Sequence, residues 1–222
     1  NTLGTWLYTV DGGTSWIPIG AVGDDQALLL RDSDRVYFQP NPDSNGTVAA
    51  GLTLRAWDRT AGNPGDKVNT SGSNNGGSTP FSTASDSVAL TVGAQNDAPT
   101  RLLANVALPA SLEDAASPSQ ATIANLFNAA FSDAKDNQGA FTGGSLANAL
   151  AGIVITGNAA ASSEGKWQYL ADGNPAWTDI PTTLTAAGGL FLPATYTLRF
   201  QPAADWNGSP GSLTVRLVDD SA

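Results

Sequence analysis

A long internal repeat constrains the fold of this chain more than any other feature. The segment Gly4–Gly12 (GTWLYTVDG) returns as Gly165–Gly173 (GKWQYLADG), a spacing of 161 residues from Trp6 to Trp167. The correspondence continues to Leu52-Thr53-Leu54-Arg55 and its counterpart Leu213-Thr214-Val215-Arg216. A repeat of this length is too long for one turn of a solenoid, so each copy is predicted to be a domain of a tandem array.

Composition predicts that these domains are built from strands. The hydrophobic runs are short, turn residues recur, and Gly alone accounts for 24 of the 222 residues, a pattern typical of all-β proteins. At about 150 residues per domain the length corresponds to roughly one and a half domains. We therefore expect the C-terminal part of one repeat at 1–95, a linker at 96–99 and a second repeat at 100–222.

The repeat also predicts that both units are incomplete. Asn1 corresponds to a position inside the second unit, so the first unit is expected to lack its opening third. The second unit is expected to begin with a strand at Arg101–Leu108 and to lack a counterpart of the closing strand Ser87–Val92. The missing strands of the first unit leave apolar faces of its sheets uncovered, and another chain is a candidate to supply those strands.

The residue types that are missing exclude several kinds of chemistry. The chain has no Cys, His or Met, so it offers no thiolate or imidazole for nucleophilic catalysis or a zinc site, and we expect no enzymatic activity. A net charge of −10 argues against nucleic acid or an anionic lipid surface as a partner. An acid-rich chain of this kind permits the binding of hard cations.

At the linker, the motifs resemble those of a known family. Asn96-Asp97-Ala98-Pro99 is followed by Leu112-Glu113-Asp114, by Phe131-Ser132-Asp133 with Asp136, and by Asp205-x-Asn207-Gly208, which also occurs earlier as Asp43-x-Asn45-Gly46. This order resembles the cadherin-like, VCBS-type repeats of large bacterial RTX surface adhesins. The resemblance implies tandem immunoglobulin- or cadherin-like β-sandwich units and an extracellular location on the cell surface. It also implies a spacer role, with neighbouring repeats of the same polypeptide as partners and no direct membrane contact.

The same resemblance implies that calcium is bound at the joint of the repeats. Ca²⁺ takes six to eight oxygen ligands from carboxylates, amides and backbone carbonyls. In a sandwich of this kind, alternate loops gather at opposite ends. The residues predicted as ligands are Asp43, Asn45, Asn96, Asp97, Glu113, Asp133, Asp136 and Asp219, of which Glu113 is expected at the far end of the second unit. The competing interpretation is that Asp and Asn in these turns only cap the backbone.

A ligand-binding module for a glycan or peptide remains the alternative function. The long polar loop Thr60–Thr79 is the candidate site for such a ligand, and the sequence ends before its equivalent in the second unit. This loop is expected to be mobile, with nothing to bury. Trp57 and Trp206 have no aromatic counterpart in the other repeat and are the candidates for ligand contact. The tryptophans that recur in register (Trp6 with Trp167, Trp16 with Trp177) are predicted to be core residues.

The run Thr9-x-Asp11-x-Gly13-x-Ser15-Trp16 resembles an Asp-box hairpin. We interpret this motif as a structural one.

Overall fold

The computed structural model describes residues 3–221, and strands dominate them, with one short α-helix, so the all-β prediction is confirmed. The contacts divide the chain into two units. One unit contains Asn1–Gln95 together with Asn137–Leu146, and the other contains Asn96–Asp136 together with Ala147–Ala222. The sequence did not predict that residues 137–146 group with the first unit, because they lie well inside the second repeat.

The described residues of the first unit form seven strands in three small sheets. They are β1 (Gly4–Thr9), β2 (Ile17–Pro18), β3 (Ala27–Leu28), β4 (Arg35–Pro40), β5 (Gly46–Trp57), β6 (Lys67–Val68) and β7 (Phe81–Val92). The strand orders are β2-β1-β4, β3-β6 and β5-β7, and all pairings are antiparallel. The two longest strands, β5 and β7, therefore form a separate two-stranded ribbon.

The turn between β1 and β2 explains the Asp-box pattern. The Asp11 carboxylate accepts hydrogen bonds from the Thr9 hydroxyl at 2.6 Å and from the Ser15 backbone N–H at 3.0 Å. Gly12 and Gly13 have φ values of 77° and 105°, which glycine adopts without steric cost. The side chains that form the motif are thus used to close the hairpin.

As far as residue 221, the second unit contains nine strands and the α-helix. They are β8 (Thr100–Arg101), β9 (Gln120–Thr122), α1 (Ile123–Phe127), β10 (Phe131–Ser132), β11 (Leu150–Asn158), β12 (Gly165–Leu170), β13 (Thr178–Asp179), β14 (Leu190–Pro193), β15 (Thr197–Pro202) and β16 (Leu213–Asp219). The sheets have the orders β14-β11-β16, β13-β12-β15-β9 and β10-β8. Thr122 caps α1 by accepting a hydrogen bond from the Asn125 N–H at 3.2 Å.

One buried apolar cluster joins the two larger sheets of the second unit. Ile153 and Ile155 of β11, Leu192 of β14 and Leu198 of β15 belong to it, together with Ile123 of α1. The alternation along β11 places Ile153 and Ile155 on the same face, where both are fully buried. This cluster holds in place the loops that leave the strands.

The repeat in sequence is also a repeat in local geometry. The rings of Trp6 and Phe38 pack edge to face with centroids 5.2 Å apart, and those of Trp167 and Phe200 do so at 5.3 Å. In both units the Trp strand pairs with the Phe strand in the same register. These paired strands are therefore a part of each unit where the repeat in sequence corresponds to the same local structure.

Two sequence-based predictions were wrong in detail. The loop at 60–79 does bury a side chain, because Thr70 is only 1% exposed and its hydroxyl donates to the Asp24 carbonyl at 3.0 Å. Strand β6 of the same loop pairs with β3. The predicted strand Arg101–Leu108 is reduced to β8, and Leu102 and Leu103 beyond it are exposed.

Candidate functional site

Three buried carboxylates form the candidate site, and all three belong to the second unit. Asp133 and Asp136 follow β10, and Asp219 is the last residue of β16, opposite Leu150 of β11. Their exposed fractions are 5%, 4% and 6%. Carboxylates are rarely buried to this degree unless something compensates their charge.

Asp133 carries the least satisfied polar atom of this acidic cluster. Its Oδ2 accepts a hydrogen bond from the Asn148 N–H at 2.6 Å, whereas its buried Oδ1 has no hydrogen-bond donor within the described residues. Burial raises the pKa of Asp133, and the negative charges of Asp136 and Asp219 raise it further, against the opposing effect of the Asn148 N–H. The site therefore disfavours a full set of ionised carboxylates unless a cation is present.

The linker reaches the acidic cluster through Asp97. The Asp97 backbone N–H donates to Oδ2 of Asp136 at 3.0 Å, and Oδ1 of Asp97 lies 3.5 Å from the Lys135 ammonium group. The Asn96 side chain donates to the Asp97 carbonyl at 3.2 Å. The structure thus brings the main chain of the linker to the cluster, while the Asp97 carboxylate forms an ion pair at its partly exposed side.

The other end of the acidic cluster is held by the chain after β16. Asp219 Oδ1 accepts hydrogen bonds from the backbone N–H and the hydroxyl of Ser221. The neighbouring Asp220 accepts from the Ala149 N–H at 2.8 Å, and this bond lowers the pKa of Asp220. The backbone donors at Asn148 and Ala149 were not identified from the sequence, because a backbone N–H leaves no residue-type signal.

Two predicted ligands belong to the first unit and are engaged there. Asn45 is buried, its Oδ1 accepts from the Ser145 N–H at 2.7 Å, and its Nδ2 donates to the Ser145 hydroxyl at 2.8 Å. Both polar atoms of the Asn45 side chain thus hold the segment 137–146 in that unit. Asp43 lies in the left-handed region at φ 58°, as its counterpart Asp205 does at φ 56°.

Glu113 takes part in a different polar contact. Its Oε2 accepts from Asn207 Nδ2 at 3.0 Å, and the adjacent Asp114 accepts from the Asp205 N–H at 3.1 Å. All four of these side chains are exposed. Their arrangement is that of a turn stabilised by side-chain caps.

The acidic cluster is not a preformed metal site. Within residues 3–221, no group of three or more acidic side chains has an arrangement that would hold a metal ion. The oxygen-only donor set of Asp133, Asp136 and Asp219 nevertheless matches the chemistry of Ca²⁺, and the unpartnered Oδ1 of Asp133 is an available ligand atom. The residues present therefore fit calcium by donor type, and binding requires the side chains to rotate.

The tryptophans proposed for ligand contact are used in packing. Trp57 is half-buried, and its Nε1 donates to the Ala61 carbonyl at 2.9 Å. Trp206 is half-buried against Phe200, with ring centroids 5.7 Å apart. Trp16 was predicted to be core but is 38% exposed, with only Tyr37 stacked against its edge.

Comparison with protein-family models, with curated proteins and with solved structures finds no match for this chain. None of the helices in residues 3–221 has the length and hydropathy that crossing a membrane requires.

Proposed function

We propose that this chain is a spacer segment of a large bacterial surface adhesin, in which calcium bound at the acidic cluster stiffens the linker between repeats. The unpartnered Oδ1 of Asp133, buried beside Asp136 and Asp219, is the single observation that carries the proposal. A buried carboxylate oxygen without a donor is costly, and a bound cation compensates that cost directly.

The choice of calcium follows from the ligand atoms. Ca²⁺ accepts carboxylate and carbonyl oxygens in a flexible shell, whereas Mg²⁺ requires a near-ideal octahedron and retains several waters. The cluster offers carboxylates, and the carbonyls of the linker lie next to Asp97. A flexible shell also tolerates the side-chain rotation that this site requires.

Stiffening follows from the place of Asp97 in the chain. Its N–H is already bonded to Asp136, so a cation bound to Asp136 restrains the main chain of the linker as well. Without a cation, the mutual repulsion of Asp133, Asp136 and Asp219 opposes that arrangement. Calcium binding is therefore coupled to order at residues 96–97.

The architecture supports the spacer role at the level of each unit. The second unit has two larger sheets that share one core, and this supports the sandwich that the family resemblance implies. The first unit repeats the Trp–Phe strand pair of the second. Tandem repetition provides length through copy number, which is what a stalk requires. The alternative, a glycan- or peptide-binding module, has no comparable observation, because Trp57 is hydrogen-bonded within its own loop.

Calorimetric titration of the metal-free chain with Ca²⁺ tests this proposal, with Mg²⁺ as the second cation. We expect saturable Ca²⁺ binding that Asp133→Asn and Asp136→Asn each weaken about tenfold or more, since each removes one of the few ligand charges. The matched control is Asp172→Asn, which removes one charge from an exposed turn of the same unit. Absence of Ca²⁺ binding, or equal weakening in all three variants, would refute the calcium site.

A further inference from the structure

A polar network lies on the outer face of the four-stranded sheet in the second unit. Leu198 and Phe200 of β15 are buried, so alternation along the strand places the half-buried Arg199 on the opposite face. The Arg199 Nε donates to Oε1 of Gln168 on β12 at 2.9 Å, and the guanidinium carbon lies 3.9 Å from the centre of the Trp177 ring. The hydrogen bond and the cation–π contact together fix the orientation of the guanidinium group.

Arg199 carries a positive charge that no carboxylate balances. The nearest acidic partner of the network is Asp179, whose Oδ1 accepts from Gln168 Nε2 at 2.7 Å and whose Oδ2 pairs with the Lys166 ammonium at 2.6 Å. Within residues 3–221, Arg199 forms no ion pair, and its two terminal nitrogens have no acceptor. Burial lowers the pKa of Arg199, and no neighbouring carboxylate opposes this effect. The terminal nitrogens are therefore available to an anion from outside the chain.

The first repeat has apolar residues at the same positions of its own sheet. Gln168 lies opposite Arg199 in the paired strands of the second unit, and Leu7 lies opposite Tyr37 in those of the first. The tryptophan of the first repeat, Trp16, packs edge to face on Tyr37. The same strand pair thus forms without the polar network, so the fold does not require it. A residue set that one repeat has and the other lacks is typical of a binding site and not of a structural element.

The strand on the other side of β15 supplies a second polar group. Gln120 of β9 lies opposite Arg199 in the register of these strands, and Gln120 is exposed. Side chains directly opposite each other on antiparallel strands have Cβ atoms about 4.5–5.5 Å apart, so the Gln120 amide lies within reach of a group bound to the guanidinium. A side-chain amide both donates and accepts hydrogen bonds, which matches a hydroxyl group. The site thus consists of an oriented guanidinium with an amide beside it, and β15 has a paired strand on each side.

We propose that Arg199 and Gln120 bind the carboxylate of an acidic sugar of the uronic acid class. A guanidinium group binds a planar carboxylate through two parallel hydrogen bonds, and the ring hydroxyls beside that carboxylate match the Gln120 amide. The net charge of −10 repels polyanions, so a glycan with isolated carboxylates suits this chain better than a densely sulfated one. The site shares no residue with the acidic cluster, and the proposal does not depend on calcium.

Titration of the full chain with methyl β-D-glucuronide, followed by NMR, tests the site. We expect saturable shifts of the Arg199 Nε–H signal and of the Gln120 side-chain amide signals, with a dissociation constant in the millimolar range, because one bidentate contact contributes most of the affinity. Methyl β-D-glucoside lacks the carboxylate and should not shift the Arg199 signal. N-acetylaspartic acid amide has a carboxylate without ring hydroxyls and should bind at least about threefold more weakly, since the Gln120 contact is lost.

Variants of the chain separate recognition by Arg199 from the effect of overall charge. Arg199→Lys keeps the charge but removes the planar guanidinium, and it should weaken glucuronide binding about fivefold or more. Arg216→Lys makes the same change at an exposed position of β16 and should leave the affinity unchanged. Gln168→Leu should move the Arg199 Nε–H signal before any sugar is added and should also weaken binding, because Gln168 orients the guanidinium.

Three outcomes would overturn the proposal. The first is the absence of glucuronide binding, or equal binding of the glucuronide and the glucoside. The second is equal weakening by Arg199→Lys and Arg216→Lys, which would assign the binding to overall charge. The third is equal affinity for N-acetylaspartic acid amide, which would assign the site to acidic peptides and not to sugars.

Discussion

The backbone N–H of Asp97 donates to the carboxylate of Asp136, 3.0 Å from its Oδ2. This bond ties the linker to a cluster whose other members are Asp133, in the loop after β10, and Asp219, the last residue of β16. The state of the cluster is therefore transmitted to the linker by a direct contact. Agents that change the charge of the cluster are expected to change the order of residues 96–97.

Replacing Asp133 with Asn is expected to change stability in opposite directions with and without calcium. In EDTA at pH 7, Asp133→Asn removes a buried charge with an unpartnered oxygen, so the melting temperature should rise by about 2–6 °C. In Ca²⁺, the same variant lacks one ligand of the ion, so the rise in melting temperature on adding calcium should be smaller than in the wild-type chain. Thermal unfolding in both buffers measures the two effects.

The pH dependence of this difference follows from the raised pKa of Asp133. A carboxyl group whose pKa is raised by folding stabilises the fold at pH values below its pKa in the unfolded chain. This contribution is lost as the pH rises through the pKa of the group in the folded chain. In EDTA, the wild-type chain and the Asp133→Asn variant should therefore have the same melting temperature below about pH 4, and their melting temperatures should diverge toward pH 7. If the difference in melting temperature between the wild-type chain and the variant is the same at about pH 4 and at pH 7, the cost assigned to the buried Asp133 carboxylate is contradicted.

Removing the charge of Lys135 is expected to strengthen calcium binding. The Lys135 ammonium lies 3.5 Å from Asp97 Oδ1 and competes with a cation for that carboxylate. Lys135→Gln should raise the Ca²⁺ affinity about two- to fivefold at low ionic strength, and less at high salt, because both groups are partly exposed. Lys166→Gln is the control, since Lys166 pairs with Asp179 at 2.6 Å in the same unit. An equal gain in Ca²⁺ affinity in both variants would show that the net charge of the chain, and not the ion pair of Lys135 with Asp97, controls the affinity.

How much of the candidate site follows from the sequence depends on the kind of interaction. Asp133, Asp136 and Asp219 are grouped by the loop geometry that the family resemblance implies, and the structure does bury them together. Asn45 has the same residue type and turn pattern, yet its amide is used by Ser145, a residue 100 positions away. Long-range pairing of this kind leaves no local pattern to detect.

The fold shows the same division between local and long-range signals. The hairpin at Asp11 was predicted from the local Asp-box pattern, and the structure forms it between β1 and β2. Strand Arg101–Leu108 was overpredicted, because its apolar residues resemble a strand whether or not a neighbouring strand is present to pair with it. Leu102, inside the predicted strand, is exposed, and local propensity does not report whether a neighbouring strand is present.

The Asp11 hairpin is expected to weaken in acid. The Ser15 and Thr9 hydroxyls and the Ser15 N–H hold the pKa of Asp11 far below its usual range. A carboxyl group whose pKa is lowered by folding stabilises the fold at pH values above its pKa in the unfolded chain. This contribution is lost as the pH falls toward the pKa of the group in the folded chain. Asp11→Asn should therefore lower the melting temperature at pH 7 and have less effect near pH 2. The control is Asp172→Asn, where Leu170 and Ala176 replace the two hydroxyl partners.

Gly165 is expected to be the least replaceable glycine of the second hairpin. It starts β12 at φ 137°, and an added Cβ would lie 2.2 Å from the Gln201 carbonyl oxygen on β15. Gly165→Ala should cost about 3 kcal/mol or more, because the strands must separate where Trp167 packs on Phe200. Gly173→Ala is the matched control, since Gly173 also has a positive φ of 71° but an added Cβ would meet nothing within 4 Å, so only about 1 kcal/mol is expected. Denaturant unfolding followed by tryptophan fluorescence measures both costs, and equal costs would show that conformational strain, rather than close strand approach, requires glycine at position 165.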